Sequence, residues 1–178
     1  MPKITSKRNY LELEEIEKII KHAPSETSRV FITTLYGTGA RISEVLPLEV
    51  KDIHFKYHEI EMPALKRKDI ETKLVWALDF VWPLLEKYCN GRPSTWRLFP
   101  VRRRIAYQWI KVASLRAHIP GVYPHLLRHS FAIRWSKLGG DLTKLQRNLG
   151  HKDFRTTANM YLRYQTKDIG DEAKRIGM

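Results

Sequence analysis

The sequence predicts an α+β protein: a mainly α-helical body carrying a small antiparallel β-sheet. Three observations point there. Apolar residues recur at helical spacing up to Leu46 and again from Trp82 onward, whereas between Ile53 and Leu78 the pattern becomes strand-like. No repeat, low-complexity segment or long linker divides the chain, so residues 1–178 read as one domain. Helices on both sides of a short strand region make a small sheet embedded in a helical body.

The elements follow in order. A first helix is expected from near Asn9, where Asn9 and Glu12 would form a capping box, with Leu13, Ile16 and Ile20 on one face. A second starts around Ser25, turns Val30, Phe31, Ile32 and Leu35 inward, and is ended by Gly37 and Gly39. A short helical stretch covers Ile42 to Leu46. Glu59 to Leu65 and Lys73 to Leu78 then read as a hairpin around the charged turn Lys66-Arg67-Lys68-Asp69, with a shorter strand at Ile53 to Phe55. Pro63 suits an edge strand or a bulge. Helices are expected at Trp82 to Tyr88, Ile105 to His118, His125 to Leu138, Leu142 to Leu149 and Thr156 to Tyr164. Leu142, Leu145 and Leu149 form one core-facing stripe, and Ile105, Trp109 and Val112 another.

Composition narrows the function. With 43% hydrophobic and 29% charged residues the chain is globular rather than disordered. Its single cysteine, Cys89, excludes an internal disulfide and cannot alone build a thiolate metal site. No apolar run approaches a membrane span, and the Lys- and Glu-rich N-terminus does not read as a signal peptide, so an intracellular, cytoplasmic protein is expected. Lys and Arg total 32 against 19 acids, a net charge of +13, which favours a polyanionic partner. Nucleic acid is preferred over a membrane surface.

Five segments collect residues able to do chemistry. In Thr38-Gly39-Ala40-Arg41-Ile42-Ser43-Glu44, Arg41 follows a glycine-broken helix end and Glu44 lies one turn on, placed to hold it. Lys66 and Lys68 sit in the hairpin turn, from which a lysine can reach a phosphodiester and give a proton to a leaving oxygen. His125-Leu126-Leu127-Arg128-His129 puts His125 and Arg128 on one face of a helix start. His125 and His129 have a zinc-ligand spacing, but Leu126 stands where zinc proteases place their glutamate, so no metal is expected. His151 follows a helix-ending glycine in Leu149-Gly150-His151, and Tyr161 closes Thr156-Thr157-Ala158-Asn159-Met160-Tyr161. Alone, each has an ordinary structural explanation: a surface ion pair, a solvated turn, a helix-terminal histidine, a packed tyrosine.

Their order, Arg, Lys, His-x-x-Arg, Gly-His, Tyr, resembles the tyrosine recombinase (phage integrase, Xer-like) family from about Tyr10 to Tyr164. The resemblance implies the catalytic fold of that family and a site-specific recombinase, in which the Tyr161 hydroxyl attacks a DNA phosphodiester to form a 3′-phosphotyrosyl link. Arg41 and Arg128 match the phosphate-clamping arginines, whose guanidinium groups stabilise charge on the non-bridging oxygens. His125 matches the acid/base position, and His151 the position that donates to the phosphate or packs beneath it. Glu44 would orient Arg41. A hairpin lysine protonates the leaving 5′-oxygen; counting from Asp52 favours Lys66, with Lys68 as rival and DNA contact. The turn lacks the glycine-rich form common in the family, and Leu126 replaces an acid found in many relatives. Neither metal, ATP nor another cofactor is implied.

For grip on double-stranded DNA the sequence offers Arg102, Arg103, Arg104, Gln108 and Lys111 at the start of a helix. The family usually adds an N-terminal helical clamp domain; the chain begins too late to contain one, which implies either a catalytic fragment or a minimal recombinase. The tail beyond Tyr164, with Ile169 and the Asp171 to Ile176 stretch, is expected to dock on a neighbouring protomer in a dimer or tetramer on DNA. The alternatives are DNA relaxation of the type IB topoisomerase kind and a DNA-binding protein without catalysis.

Overall fold

The computed structural model describes residues 10–65 and 70–150. Its centre is helix α2 (Glu26–Thr38), in which every residue from Val30 to Thr38 is buried. Ser25 caps it, its Oγ accepting from the Ser28 N–H at 3.2 Å. Around α2 pack α1 (Leu13–Lys21), α3 (Ile42–Val45), α4 (Val81–Cys89), α5 (Arg103–Arg116) and α6 (Pro124–Lys137). The last described helix, α7 (Leu142–Leu149), lies against α6 and the sheet. The sheet is antiparallel with order β1 (Ile53–His54), β2 (Glu59–Leu65), β3 (Ile70–Trp76).

Several boundaries differ from the sequence reading. Helix α1 begins at Leu13, not near Asn9, because Tyr10 and Leu11 are buried against the body and the Leu11 N–H bonds Ser130 Oγ on α6 at 2.8 Å. Glu12 is the cap, its N–H donating to Glu15 Oε2 at 2.8 Å; Asn9 lies outside the described residues. The buried face of α1 is led by Ile16 and Ile19, with Ile20 at its margin. Gly37 is helical, and only Gly39 ends α2, at φ +63°. Strand β1 stops at His54 because its carbonyl accepts from the Tyr57 N–H at 3.0 Å, which turns the chain. Strand β3 starts three residues earlier than expected and stops at Trp76, since the Leu78 N–H is drawn to Gly37 O at 2.9 Å.

Pro63 is tolerated for a geometric reason. It pairs with Thr72 of β3, whereas β1 reaches only Glu59 and Ile60, so the far side of β2 is an edge at Pro63. Helix α5 also corrects the expected stripe. Its buried face is Ala106, Ile110, Ala113 and Ser114, while Ile105 is 44% exposed. Small side chains there let α5 approach α1 and α2 closely, a role that a search for large apolar residues overlooks.

Gly39 is required on two grounds: its left-handed backbone, and space. A Cβ there would overlap the Phe131 ring of α6 and approach Leu149 Cδ2 of α7 to 2.8 Å. Gly91 is also left-handed, at φ +71°, but a Cβ there meets nothing within 4 Å. Gly39→Ala is therefore expected to cost about 2–4 kcal/mol in urea unfolding, and Gly91→Ala only about 1 kcal/mol. Equal losses would show that packing at the α2–α6–α7 junction is not what Gly39 protects.

Candidate active site

The C-terminal end of α2 delivers the chain directly into the site. Arg41 is the N-cap of α3, and Glu44, three residues on, is 1% exposed. The Glu44 carboxylate takes the Arg41 backbone N–H on Oε2 at 2.7 Å and Arg41 Nη1 on Oε1 at 3.0 Å. One buried acid thus caps the short helix and fixes the guanidinium. The Arg41 side chain remains 36% exposed, so it faces outward from this anchor.

Arg128 arrives from α6 and is buried. Its Nη1 donates to Gly39 O at 2.7 Å and its Nη2 to Leu149 O at 2.9 Å, joining the C-terminal ends of α2 and α7. These carbonyls lack helical partners and lie at the negative ends of their helix dipoles, so they suit a cation. Burial, with the nearby charge of Arg41, pushes the Arg128 pKa down to about 10, opposed by Glu44. It remains charged at neutral pH.

A third cation was not singled out from sequence. Lys73, on β3, places Nζ 3.2 Å from Glu44 Oε1 and 3.4 Å from both Asn148 O and Leu149 O. Burial lowers its pKa, with Glu44 opposing the shift. The signal was available in the strand phase. Lys73 pairs with buried Met62 and shares a face with Val75, so it occupies an inward position where an unpaired charge would be costly. Asn148 was also missed: its Oδ1 accepts from the Trp76 N–H at 2.8 Å and its Nδ2 donates to Thr38 O at 3.0 Å.

His125 lies in the first turn of α6, exposed and three residues before Arg128, on the same helical face. The structure therefore brings together Arg41, Glu44 and Arg128, with Lys73 added. Lys66, Lys68, His151 and Tyr161 lie outside the described residues. Among the described residues no group of three or more His, Cys, Asp or Glu side chains gathers as metal ligands would, and no helix is long and apolar enough to cross a membrane.

A second surface is built by α5. Arg102 is its N-cap, and Arg103, Arg104, Gln108 and Lys111 are exposed along it. Arg104, Gln108 and Lys111, spaced one helical turn apart, line an open groove of ≈ 500 Å³ with Tyr107 and the half-exposed Tyr123. The Arg103 guanidinium lies 5.6 Å from the centre of the Tyr107 ring. No acid occupies the first turn, so Arg102, Arg103 and Arg104 stand against the helix dipole, an arrangement an anionic partner would relieve.

The helical body, the three-stranded antiparallel sheet and the arginine pair held by a buried acid define the catalytic-domain fold of a tyrosine recombinase. The chain belongs to the phage integrase family, which it matches over residues 9–168. It is 31% identical over 173 residues to the tyrosine recombinase XerA of Saccharolobus solfataricus, covering 97% of this chain and 58% of that one. Identity is again 31%, over 179 residues, to a tyrosine recombinase of Thermosipho africanus, covering 94% and 62%. The chain thus spans less than two thirds of the length of these curated relatives. In structure it resembles XerA recombinase (TM-score 0.75, 24% identity, covering 94% of this chain and 66% of that one). It also resembles the catalytic domain of bacteriophage HP1 integrase (TM-score 0.65, 24% identity, covering 87% of each). A third likeness is to XerH recombinase bound to its difH substrate before cleavage (TM-score 0.67, 23% identity, 91% of this chain and 52% of that one).

Arg128→Lys tests the junction. A single ammonium cannot reproduce the fork that serves Gly39 O and Leu149 O, so one of the two charged bonds that join the helix ends is lost. The expected loss is about 1–3 kcal/mol by chemical denaturation; wild-type stability would mean that the two helix ends do not depend on Arg128.

Proposed function

We propose that this chain is the catalytic part of a site-specific DNA recombinase that cuts and rejoins double-stranded DNA through a 3′-phosphotyrosyl intermediate. The observation that carries the reading is the gathering of Arg41 and Arg128 near the buried Glu44, close enough for each arginine to feel the other's charge, in a member of the phage integrase family. Two fixed guanidinium groups match a phosphodiester whose non-bridging oxygens gain negative charge during transfer.

In the proposed reaction Tyr161 is the nucleophile. A phenol with an ordinary pKa of about 10 attacks slowly at neutral pH unless a base or nearby positive charge helps it. His125, beside Arg128 on α6, takes the Tyr161 proton. The tyrosyl oxygen bonds to phosphorus, the bond to the 5′-oxygen breaks, and Lys66, with Lys68 as alternative, supplies the proton that makes a 5′-hydroxyl. His151 donates to a non-bridging oxygen. Attack by another strand's 5′-hydroxyl reverses these steps and releases Tyr161. The phosphotyrosine conserves the energy of the broken bond, so ATP is not consumed, and the cationic side chains supply the charge stabilisation that a metal would otherwise bring.

The reading includes an intracellular site of action, DNA contact through Lys68, Arg102, Arg103, Arg104, Gln108 and Lys111, and assembly on DNA through the tail beyond Tyr164. An apolar hollow of ≈ 210 Å³ lined by Trp76, Leu78, Phe131 and Trp135, with Leu138 at its rim, supports the last of these as an acceptor for a neighbour's tail. Its two tryptophans meet edge to face at 5.8 Å.

A nicked duplex that traps the covalent intermediate tests the function. The full chain is expected to form an adduct in excess EDTA, and Tyr161→Phe to form none. Loss of adduct in EDTA would overturn the metal-free mechanism; adduct from Tyr161→Phe would move the nucleophile. Binding without adduct would leave a DNA-binding protein, and relaxation without recombination of paired sites would leave a topoisomerase. DNA grip is tested separately: Arg104→Ala combined with Lys111→Ala is expected to reduce the slope of log K against log salt by roughly 2. An unchanged slope would remove the α5 groove from the DNA path.

A further inference from the structure

The ammonium of Lys73 meets three acceptors from two directions: Glu44 Oε1 at 3.2 Å, and the terminal α7 carbonyls of Asn148 and Leu149 at 3.4 Å each. A lysine ammonium has three N–H donors, so all three are engaged within the protein. Its side chain is 15% exposed, against 36% for Arg41, which shares Glu44 with it. A Cβ at Gly150 would stand 3.1 Å from Lys73 Nζ, so a side chain there would make the ammonium shift by a few tenths of an ångström.

We propose that Lys73 is a positioning residue of the phosphate site, balancing Glu44 so that Arg41 can hold a non-bridging oxygen, and locking the end of α7 in register with both arginines. The proposal rests on the recombinase reading and deepens it. Without Lys73 the buried Glu44 carboxylate has Arg41 as its one remaining ion-pair partner among the described residues, and pulls that guanidinium inward. With Lys73 in place, Arg41 needs only Nη1 for Glu44 and keeps its other donors for the substrate. On its second side, Lys73 shares the Leu149 carbonyl with Arg128 Nη2, so one oxygen registers α7 against α6 and β3 together. Asn148 completes the lock by tying Trp76 N–H of β3 to Thr38 O of α2. Residue 151 follows directly from this fixed end. An ammonium with every donor engaged is not a proton source for a leaving oxygen, which separates Lys73 from the role proposed for Lys66 or Lys68.

The test uses Lys73→Met, which keeps the length and the apolar stem but removes the charge. Single-turnover adduct formation by the full chain is measured on nicked duplexes with three scissile linkages. An ordinary phosphodiester needs both the arginines and an acid. A 5′-bridging phosphorothiolate leaves as a thiolate and needs no acid. A methylphosphonate is neutral, with a methyl in place of one non-bridging oxygen, and needs one positive charge fewer from the arginines throughout the reaction. Lys73→Met is expected to be about 10²-fold slower on the phosphodiester with DNA affinity unchanged. The same defect should persist on the phosphorothiolate and largely vanish on the methylphosphonate. Rescue by the phosphorothiolate would make Lys73 the acid and overturn the proposal. Equal loss on all three linkages would reduce it to a stability element and also overturn it, as would a wild-type rate. Should Lys73→Met fail to fold by circular dichroism, Lys73→Gln, which retains a donor for the carbonyls, carries the same comparison. Absence of adduct from the unsubstituted protein would instead sink the recombinase reading, a separate result.

Discussion

The carbonyls that end α2 and α7 both accept from the buried guanidinium of Arg128, at 2.7 and 2.9 Å, and the rest of the site is arranged around that junction. Burying a charge costs several kcal/mol unless its donors are satisfied. Here the acceptors are the terminal carbonyls of two helices, groups that lack partners in any case. The same contact brings Gly39, two residues before Arg41, against Leu149, two residues before position 151. Segments more than a hundred residues apart in sequence are thereby fixed to one side chain.

Rigidity is supplied from beneath. Helix α2 is buried from Val30 to Thr38, and its last turn cannot shift without moving Phe131 and Leu149, which crowd the hydrogen of Gly39. The sheet plays a narrower part. It is three strands wide only at Ile60 and Glu59, and its chief contribution is to present the inward face of β3, with Val75 to the core and Lys73 to the site. The exposed cations of α5 sit on a different helix, so the proposed contact with DNA and the proposed chemistry at one phosphate fall on separate elements.

Much of this was legible in the sequence, for identifiable reasons. Helix α7 ends where its pattern ends because Asp141 caps one end, through the Thr143 and Lys144 N–H groups, and Gly150 stops the other at φ +67°. Strand β2 matches its expected span residue for residue. Arg41 and Glu44 were readable as a pair because their contact is local, three residues apart. What escaped depends on distant groups. Leu78 leaves β3 for a carbonyl on α2, and Leu11 is extended because of a serine on α6. Lys73 reads in the sequence only as the beginning of a strand, because its partners come from positions 44, 148 and 149 and no local spacing announces them.

The two arginines are held by different kinds of partner, and the difference has an electrostatic consequence. Backbone carbonyls fix Arg128 without cancelling its charge, whereas Arg41 is fixed by a carboxylate that would neutralise it if left to act alone. Adding Lys73 to that carboxylate restores the balance. Among the described residues, three cations against the one carboxylate of Glu44 leave two net positive charges around the site. In the proposed transfer, a phosphodiester monoanion attacked by a tyrosyl oxygen gains a second negative charge as the proton is lost to the base. A cluster with two positive charges suits that dianionic state better than the singly charged substrate. Because the cations are held by the fold before substrate arrives, that preference requires little reorganisation during the reaction, which is the condition for electrostatic catalysis.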